Sequence, residues 1–367
     1  MARVARVFLG LLLLIPAVPS SARAGTGWPQ ALAPRAWAFP RDHGAHPRYR
    51  TEWWYFTGNL RDASGGRYGY QLTFFRVGVL PEPLLPGNPW SVRDVYLAHL
   101  AVTDAGSGTF RYEEAAGRPG PGLAGASTGR LDVWLLGWAA RMEDGVIRLG
   151  ARGREVGIEL ALRSRKPVVL HGEGGLSRKG PRPGQASFYA SITDLATAGR
   201  IRPGPGRGWV GVSGTSWFDH EFGSNQLASD QAGWDWMGLH LSDGRDLMVY
   251  VLRRADGSVE AASSGTLVEP GGRARRIGLE DFEIRVLGRW TSPRSGAEYP
   301  GRWRVRVPLA GIDLTLSPLV PDQELEASGI TYWEGAVSGR GTSAGRPVRC
   351  EGYVELTGYA GPLGDLF

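Results

Sequence analysis

The fold is decided by two similar stretches, Trp53-Trp54-Tyr55-Phe56-Thr57-Gly58-Asn59-Leu60 and Trp234-Asp235-Trp236-Met237-Gly238-Leu239-His240-Leu241. Each is rich in aromatic and apolar residues and is followed by a turn, at Gly66-Arg67 and at Gly244-Arg245. Apolar runs that flank short glycine-containing turns are typical of β-hairpins. The sequence therefore predicts an internal repeat, in which each half opens with the same antiparallel hairpin.

The two halves also end alike. The first ends in Ser216-Trp217-Phe218-Asp219-His220-Glu221-Phe222-Gly223, and the second in Gly352-Tyr353-Val354-Glu355-Leu356-Thr357-Gly358. A polar segment near residues 224–232 separates them, so we predict one domain over residues 25–228 and a second over residues 229–367. Closing each copy into a β-barrel would remove exposed sheet edges and leave an interior that can hold one apolar ligand. Two plain, filled β-sandwiches are the alternative.

The composition favours β structure throughout. Of the 367 residues, 55 are Gly, 25 are Pro and 14 are Trp, and short alternating runs lie between turn signals. Predicted strands include residues 52–60, 68–76 and 131–142, and no long amphipathic helix is expected. We therefore predict an all-β chain of two tandem antiparallel β-barrels.

The cysteine count and the histidine spacing limit the chemistry. Cys350 has no second cysteine to pair with, so no intrachain disulfide can form. It precedes a strand-like run, which predicts a small buried side chain. No Cys/His cluster has the spacing of a zinc site, and no glycine-rich loop matches a nucleotide fingerprint. The sequence therefore predicts neither a metal nor a cofactor.

Residues 1–24 are interpreted as a secretory signal. Arg3 and Arg6 give a positive start, residues 7–18 form an apolar run, and Ala22-Arg23-Ala24 fits the rule for cleavage between small residues. The apolar run is short for a bilayer span, and no second span of about 20 apolar residues follows. We predict cleavage after Ala24 and an exported, periplasmic chain without a transmembrane span.

The net charge of +6 comes mostly from scattered arginines. Runs such as Arg273-Ala274-Arg275-Arg276 are interpreted as solvated strand faces, and no RNA-binding or helix-turn-helix signature is present. We therefore expect no nucleic-acid partner. A basic surface can also favour approach to anionic lipid headgroups.

Acidic, basic and aromatic side chains are most concentrated in residues 216–223. Alternate residues of a strand point to opposite faces, so Trp217, Asp219 and Glu221 should share one face while His220 lies on the other. A carboxyl group held against Trp rings is desolvated, which raises its pKa and suits a proton donor. Acidic residues that simply alternate with core aromatic residues are the alternative.

Five separated motifs occur in the order in which one known family carries them. They are His46-Pro47-x-Tyr49-Arg50-Thr51-Glu52-Trp53-Trp54-Tyr55-Phe56-Thr57-Gly58-Asn59-Leu60, Ser187-Phe188-Tyr189-Ala190-Ser191, Trp217-Phe218-Asp219-His220-Glu221-Phe222-Gly223, Gly233-Trp234-Asp235-Trp236 and Gly352-Tyr353-Val354-Glu355-Leu356-Thr357-Gly358-Tyr359. With these motifs the chain resembles the AttH-like, carotenoid 1,2-hydratase-like group of lipocalin-related proteins. The resemblance implies two lipocalin-like barrels, in agreement with the repeat, and ligands that are long, apolar and often polyenes.

The hydratases of this group add water across a terminal trisubstituted double bond without a cofactor. A carboxylic acid protonates the alkene to a tertiary carbocation, aromatic faces stabilise the cation, and a weak base takes a proton from the attacking water. The resemblance implies that Asp219 is the acid and that Trp217 stands where the hydratases have a Tyr. The hydratases also carry a His in the preceding strand, but residues 186–189 contain none. His220 is the candidate substitute, provided that a bulge turns it inward.

Further ligand contacts are expected from both halves, with a filled core as the structural alternative at each position. Trp234 and Trp236 share a strand face. Together with Trp217, they are the candidate cation stabilisers. Glu52 is interpreted as the ion-pair partner of Arg50 or Arg76. The predicted ligand-binding residues are Trp53, Tyr55, Tyr189, Trp234, Trp236, His240 and Tyr250.

Three functions follow as hypotheses. The first is cofactor-free hydration of a polyene or isoprenoid alkene. The second is a non-enzymatic periplasmic lipid carrier that works beside an ABC transporter permease, as the resemblance suggests. The third is a secreted hydrolase with Ser213, Ser216 or Ser224 as nucleophile near His220 and Asp219, although no Gly-x-Ser-x-Gly elbow is present.

Overall fold

A computed structural model describes residues 27–85, 87–88, 90–225 and 227–361. The predicted signal segment, residues 1–24, lies outside them. The described chain is all-β, as predicted, with two antiparallel sheets and short 3-10 helices at Arg41–His43, Leu279–Asp281 and Pro308–Ala310. Within the described ranges, none of the helices has the length and apolar character needed to cross a bilayer.

The first sheet contains thirteen strands from the first part of the chain. Its order is β4-β3-β2-β1-β13-β12-β9-β8-β7-β6-β5, and β10 and β11 both pair with β12. The bounds are β1 Thr51–Asp62, β2 Arg67–Gly78, β3 Asp94–Asp104, β4 Thr109–Gly117, β5 Ala124–Ala126, β6 Asp132–Leu135, β7 Trp138–Glu143, β8 Val146–Arg152, β9 Gly157–Ser164, β10 Val169–Leu170, β11 Leu176–Arg178, β12 Ala186–Arg202 and β13 Val210–Gly223.

The second sheet contains ten strands. Its order is β17-β16-β15-β14-β23-β22-β20-β19-β18, and β21 pairs with β22. The bounds are β14 Gln231–Leu241, β15 Asp246–Arg254, β16 Ser264–Val268, β17 Ala274–Gly278, β18 Glu283–Thr291, β19 Glu298–Val307, β20 Ile312–Pro318, β21 Glu324–Ala327, β22 Ile330–Ser343 and β23 Arg346–Leu356.

The two sheets follow the same plan. In each, the opening strand forms a hairpin with the next strand and also pairs with the last strand: β1 lies between β2 and β13, and β14 lies between β15 and β23. Each sheet curls into a barrel or half-barrel, and in the first sheet β6 comes into contact with β3 and β4. The matching hairpins that open the two halves of the sequence are therefore present.

Large side chains fill the space that each sheet encloses. Trp54, Phe56 and Phe218 belong to the apolar cluster of the first sheet, and Trp303 and Trp333 belong to that of the second. All five are almost fully buried. The expectation of an open ligand space inside each barrel is therefore not met, because aromatic and branched residues from nearly every strand occupy it.

One predicted strand is divided. Residues 131–142 form β6 and β7, which are joined by a tight turn at Leu136-Gly137. Both turn residues have positive φ, 49° for Leu136 and 91° for Gly137. Two consecutive residues with positive φ give the backbone twist of a two-residue hairpin turn. The sequence did not predict this turn, because it lies within a continuous apolar run.

The outer faces of the two sheets pack against each other. A third apolar cluster combines Tyr55 and Trp217 of the first sheet with Trp236 and Tyr250 of the second. The approach is close, because a Cβ atom added at Gly69 would lie 2.4 Å from the Cβ atom of Ala336.

Arg76 is the centre of a buried ion-pair network. It is 1% exposed, its Nε lies 3.0 Å from Glu52 Oε2, and its Nη1 lies 2.8 Å from Asp94 Oδ1. Although burial alone would raise the pKa of Glu52, Arg76 and the imidazoles of His46 and His220 hold it well below its usual range. The predicted pairing of Glu52 with Arg76 is confirmed.

We predict that Arg76→Met destabilises the protein by about 3–5 kcal/mol, because two buried carboxylates lose their shared partner. Denaturation by urea at neutral pH measures the change. Arg148→Met is the control, since Arg148 and Glu143 form an exposed pair and its loss should cost less than about 1 kcal/mol. Equal unfolding midpoints for the two variants would contradict the prediction.

Candidate active site between the two sheets

The side chains of β13 alternate between two environments. Trp217 belongs to the cluster between the sheets, and Phe218 belongs to the core of the first sheet. Asp219 and Glu221 lie on the same face as Trp217 and line a crevice between the sheets. The predicted division of these residues between two faces is confirmed.

The crevice measures about 760 Å³ out to its open mouth, and its enclosed part is narrow. Both sheets supply its walls, so the two halves share one site. The lining combines four carboxylates, one ammonium group and many aromatic rings. The lining residues are Trp53, Tyr55, Thr73, Phe75, Lys179, Tyr189, Asp219, Glu221, Leu227, Trp234, Trp236, Tyr250, Leu252, Glu334 and Glu355.

The strand registers explain why these residues meet. In the first sheet, Tyr55 on β1 and Ser191 on β12 are the two cross-strand neighbours of Asp219. In the second sheet, Trp236 lies between Tyr250 on β15 and Glu355 on β23. Direct neighbours on adjacent strands share a face, so each sheet presents one row of functional side chains to the other.

Asp219 accepts three hydrogen bonds in the wall of the crevice. The hydroxyl group of Ser191 and the indole N–H of Trp217, at 2.6 Å, donate to Oδ1, and the hydroxyl group of Tyr189, at 2.6 Å, donates to Oδ2. Burial nevertheless raises the pKa of Asp219 to about 7, against the lowering effect of these bonds. Near neutral pH the group therefore exists both as an acid and as a carboxylate, which suits proton transfer.

Two further carboxyl groups lie on the opposite wall. Burial raises the pKa of Glu355 to about 7 despite a hydrogen bond from the Trp234 indole N–H to Oε2, at 2.8 Å. Burial and the neighbouring Glu355 also raise the pKa of Glu334 well above its usual range. Glu334 Oε1 is buried and has no hydrogen-bond partner among the described residues. The carboxyl groups of this wall therefore tend to be protonated. When they ionise, their negative charge favours a positive charge in the crevice.

Lys179 supplies a positive charge at the edge of the aromatic lining. Its Nζ lies 2.9 Å from Glu221 Oε1 and 4.3 Å from the centre of the Tyr250 ring. Burial opposes the charge, but Glu221 raises the pKa of Lys179. The hydroxyl group of Ser187 also donates to Glu221. Glu221 is therefore paired with a cation in the wall of the crevice.

A hydrogen-bonded chain leads away from Asp219. Ser191 Oγ lies 2.6 Å from His171 Nε2, and His171 Nδ1 lies 2.8 Å from Thr266 Oγ1 in the second sheet. Burial and Lys179 lower the pKa of His171 to about 3, so its imidazole is neutral. A neutral imidazole can donate through one nitrogen and accept through the other, so this chain can carry a proton to or from Asp219.

Seven of the predicted site residues line the crevice: Trp53, Tyr55, Tyr189, Asp219, Trp234, Trp236 and Tyr250. Trp217 acts on it through its hydrogen bond to Asp219. His240 lies elsewhere, with Nδ1 2.9 Å from Asp246 Oδ1.

His220 lies on the other face of β13. No bulge occurs at this position, and its Nε2 lies 2.9 Å from Glu52 Oε1. His46, Glu52 and His220 place three potential metal-ligand atoms within 4.8 Å of one another. These atoms already bond to one another, and Arg76 is paired with the same carboxylate, so the cluster functions as an ion-pair network. A cation would have to compete with that guanidinium group.

Sequence reasoning missed Lys179, His171 and Ser191 as site residues. Lys179 and His171 follow the short strands β11 and β10, which the sequence pattern did not reveal. Ser191 lies inside a motif but carries no obvious catalytic signal. Glu334 and Glu355 gave a better signal, because each is an acidic residue within an apolar strand.

Two curled antiparallel sheets that share one crevice define a two-barrel protein of the lipocalin-like class. A family model described as AttH-like matches residues 30–359, and the chain belongs to the AttH-like family. The resemblance seen in the five sequence motifs is confirmed.

Solved structures show the same architecture. A crystal structure assigned to AttH of Nitrosomonas europaea is 34% identical, with a TM-score of 0.78, and the match covers 89% of this chain and 100% of that one. Kievitone hydratase from Nectria haematococca is 16% identical, with a TM-score of 0.66 and coverage of 91% and 97%. At 16% identity, that second likeness shows the fold alone. No curated protein matches the chain by sequence.

We predict that Asp219→Asn reduces the loss of stability that accompanies a rise in pH. The pKa of Asp219 is about 7 when folded and near 3.8 when unfolded, so the folded state holds the extra proton between about pH 4 and pH 7. Stability therefore falls as pH rises through that window, by a few kcal/mol at most for this one group. Urea unfolding at several pH values measures the slope, and Asp194→Asn, which affects a more exposed ion pair, is the control. If the free energy of unfolding changes with pH equally in the wild type and in Asp219→Asn, the raised pKa of Asp219 is contradicted.

Proposed function

We propose that this protein is a cofactor-free hydro-lyase that adds water to a carbon–carbon double bond at the end of a long apolar ligand. The observation that carries the proposal is Asp219, a buried carboxyl group with a pKa of about 7 in a crevice lined by aromatic rings. The narrow crevice suits the flat end of an unsaturated chain. Apolar residues such as Phe75, Leu227 and Leu252 would contact the rest of the ligand.

The reaction begins with protonation. The proton of the Asp219 carboxyl group is transferred to one alkene carbon, and the π electron pair forms the new C–H bond. The positive charge left on the neighbouring carbon is stabilised by the ring faces of Trp53 and Trp236, and by Glu355 when its carboxyl group is ionised. A water oxygen then forms the C–O bond, and its proton is taken by the Asp219 carboxylate, which restores the starting state.

His171 would help to set the protonation state of Asp219. When Asp219 is ionised, the Ser191 hydroxyl group donates to it, and His171 Nε2–H donates to Ser191 Oγ. His171 Nδ1 is then the unprotonated nitrogen and accepts from the Thr266 hydroxyl group. When Asp219 is protonated, the direction of the whole chain can reverse. We propose that His171 takes the part of the histidine that the hydratases carry in the preceding strand, although it comes from a different segment.

The likeness to kievitone hydratase supports this proposal at the level of the fold, since that protein is named as a hydratase. The hydrolase hypothesis has less support. Ser216 lies away from Asp219, and its hydroxyl group accepts bonds from Tyr70, at 2.8 Å, and from Thr197, at 2.7 Å.

We predict that Asp219→Asn lowers turnover by about 100-fold or more, because an amide cannot supply the proton. Isoprenoid alkenes with a terminal trisubstituted double bond are incubated in isotope-labelled water, and labelled alcohol is measured by mass spectrometry. Turnover by the wild type should fall as pH rises above about 7, since the acid form of Asp219 is lost. Asp194→Asn should retain activity, and an Asp219→Asn variant with wild-type turnover would disprove the role of this acid.

A periplasmic lipid carrier that works with an ABC transporter permease is the second candidate. The predominance of aromatic and aliphatic side chains at the crevice favours it, since these bind a lipid chain without chemistry. Mass spectrometry of an organic extract from gently purified protein separates the two candidates. If the protein is a carrier, the extracts of wild type and Asp219→Asn contain the same lipid, and no alkene is converted. If it is a hydro-lyase, the extract contains an alkene substrate or the corresponding alcohol.

We also propose that the chain is exported and cleaved after Ala24. Protein recovered from a periplasmic extract of the expressing cells should then begin at Gly25, as measured by N-terminal mass analysis. Recovery of only the uncleaved chain from the cytoplasm would contradict export.

A further inference from the structure

A second cleft lies at the other end of the contact between the two sheets. β1 runs from Trp53 in the crevice to Arg61 in this cleft, a distance of about 26 Å at roughly 3.3 Å per residue. The cleft measures about 970 Å³ out to its mouth. Its lining is polar and basic, in contrast to the acidic, aromatic crevice.

Two pairs of arginines lie opposite each other on neighbouring strands, one pair at this cleft and one beside it. Arg61 on β1 lies opposite Arg67 on β2, and Arg340 on β22 lies opposite Arg349 on β23. Like charges directly opposite each other destabilise a sheet. Arg61, Arg67 and Arg349 line the cleft, so both sheets supply at least one of its arginines.

Few carboxylates compensate these arginines. Glu351 pairs with Arg61 and lies 3.8 Å from Arg67. Arg340 and Arg349 make no side-chain ion pair or hydrogen bond within the residues that the structure describes. Asp246, which is next to the cleft, is already paired with Lys166, at 2.6 Å. The three guanidinium groups that line the cleft therefore outnumber its one lining carboxylate, Glu351, and leave an excess of positive charge.

Neutral groups complete a site for an oxyanion. Thr215, Ser242 and Ser338 line the cleft and provide hydroxyl groups. Asn59 also lines it, and its Nδ2 donates to the Gly352 carbonyl oxygen at 2.9 Å. Asn59 Oδ1 is buried without a hydrogen-bond partner among the described residues, so it can accept from a hydroxyl group of a bound ligand. An oxyanion that carries a hydroxyl group meets both requirements.

We propose that this cleft binds a phosphate-class anion, either a free phosphate or the phosphate of a lipid headgroup. Guanidinium groups match the oxygen geometry of phosphate and bind it with charge-assisted, bidentate hydrogen bonds. Placement between the two sheets lets one anion neutralise arginines from both. The site is separate from Asp219 and does not depend on the hydro-lyase activity.

The test compares two variants of the full chain on one strand. Arg349→Gln removes a cleft arginine that forms no ion pair with any described residue, so folding should be preserved. Arg346→Gln is the matched control, because Arg346 is exposed on β23 and does not line the cleft. One arm titrates inorganic phosphate by calorimetry at low salt. The other measures sedimentation with phosphatidylcholine vesicles, with and without phosphatidic acid.

We expect Arg349→Gln to weaken phosphate binding by about tenfold, because one charged hydrogen-bonding partner of the anion is lost. Arg346→Gln and Asp219→Asn should bind phosphate like the wild type. Binding of free phosphate with this pattern supports a soluble ligand. Binding only to vesicles with phosphatidic acid, again lost in Arg349→Gln alone, supports a lipid headgroup. If neither probe binds, or if the two arginine variants lose binding equally, the proposal is overturned.

Discussion

The burial of one sheet face against the other is the constraint on which this structure depends. Each sheet already encloses a filled core, so the outer faces of the central strands can be buried only against each other. Small residues allow this close approach, as at Gly69 against Ala336. The hydrogen bond from Asn59 to the Gly352 carbonyl oxygen also joins the sheets. Where the two faces part, they leave the crevice that holds Asp219.

Removal of water between these faces gives the carboxyl groups their properties. Asp219, Glu334 and Glu355 come from strands that would leave them solvated on a single sheet, and it is the second sheet that desolvates them. Glu221 on the same wall as Asp219 is paired with Lys179. A site with protonated acids, one compensated acid and aromatic walls can donate a proton and then tolerate a cation. The chemistry of the crevice therefore follows from the way the two halves pack.

Much of the fold follows directly from the pattern of residues along the chain. The paired hairpins at Trp53 and Trp234 are evident from composition and turn signals, because strand alternation and glycine turns are local properties. The shared face of Trp217, Asp219 and Glu221 is equally local. The turn at Leu136 was hidden, because an apolar residue occupied a position where glycine or asparagine is usual.

The strand alternation, the repeated unit, the family and the placement of an acid among aromatic rings can all be predicted from the order of residues along the chain. The three-dimensional packing makes the two halves share one crevice, since both cores are filled and the outer faces pack together. It also brought Lys179, His171 and Ser191 to Asp219, and separated His220 from it. These outcomes rest on contacts between residues far apart in the chain, whose geometry depends on how sheets curl and dock. No local pattern of residues encodes that geometry.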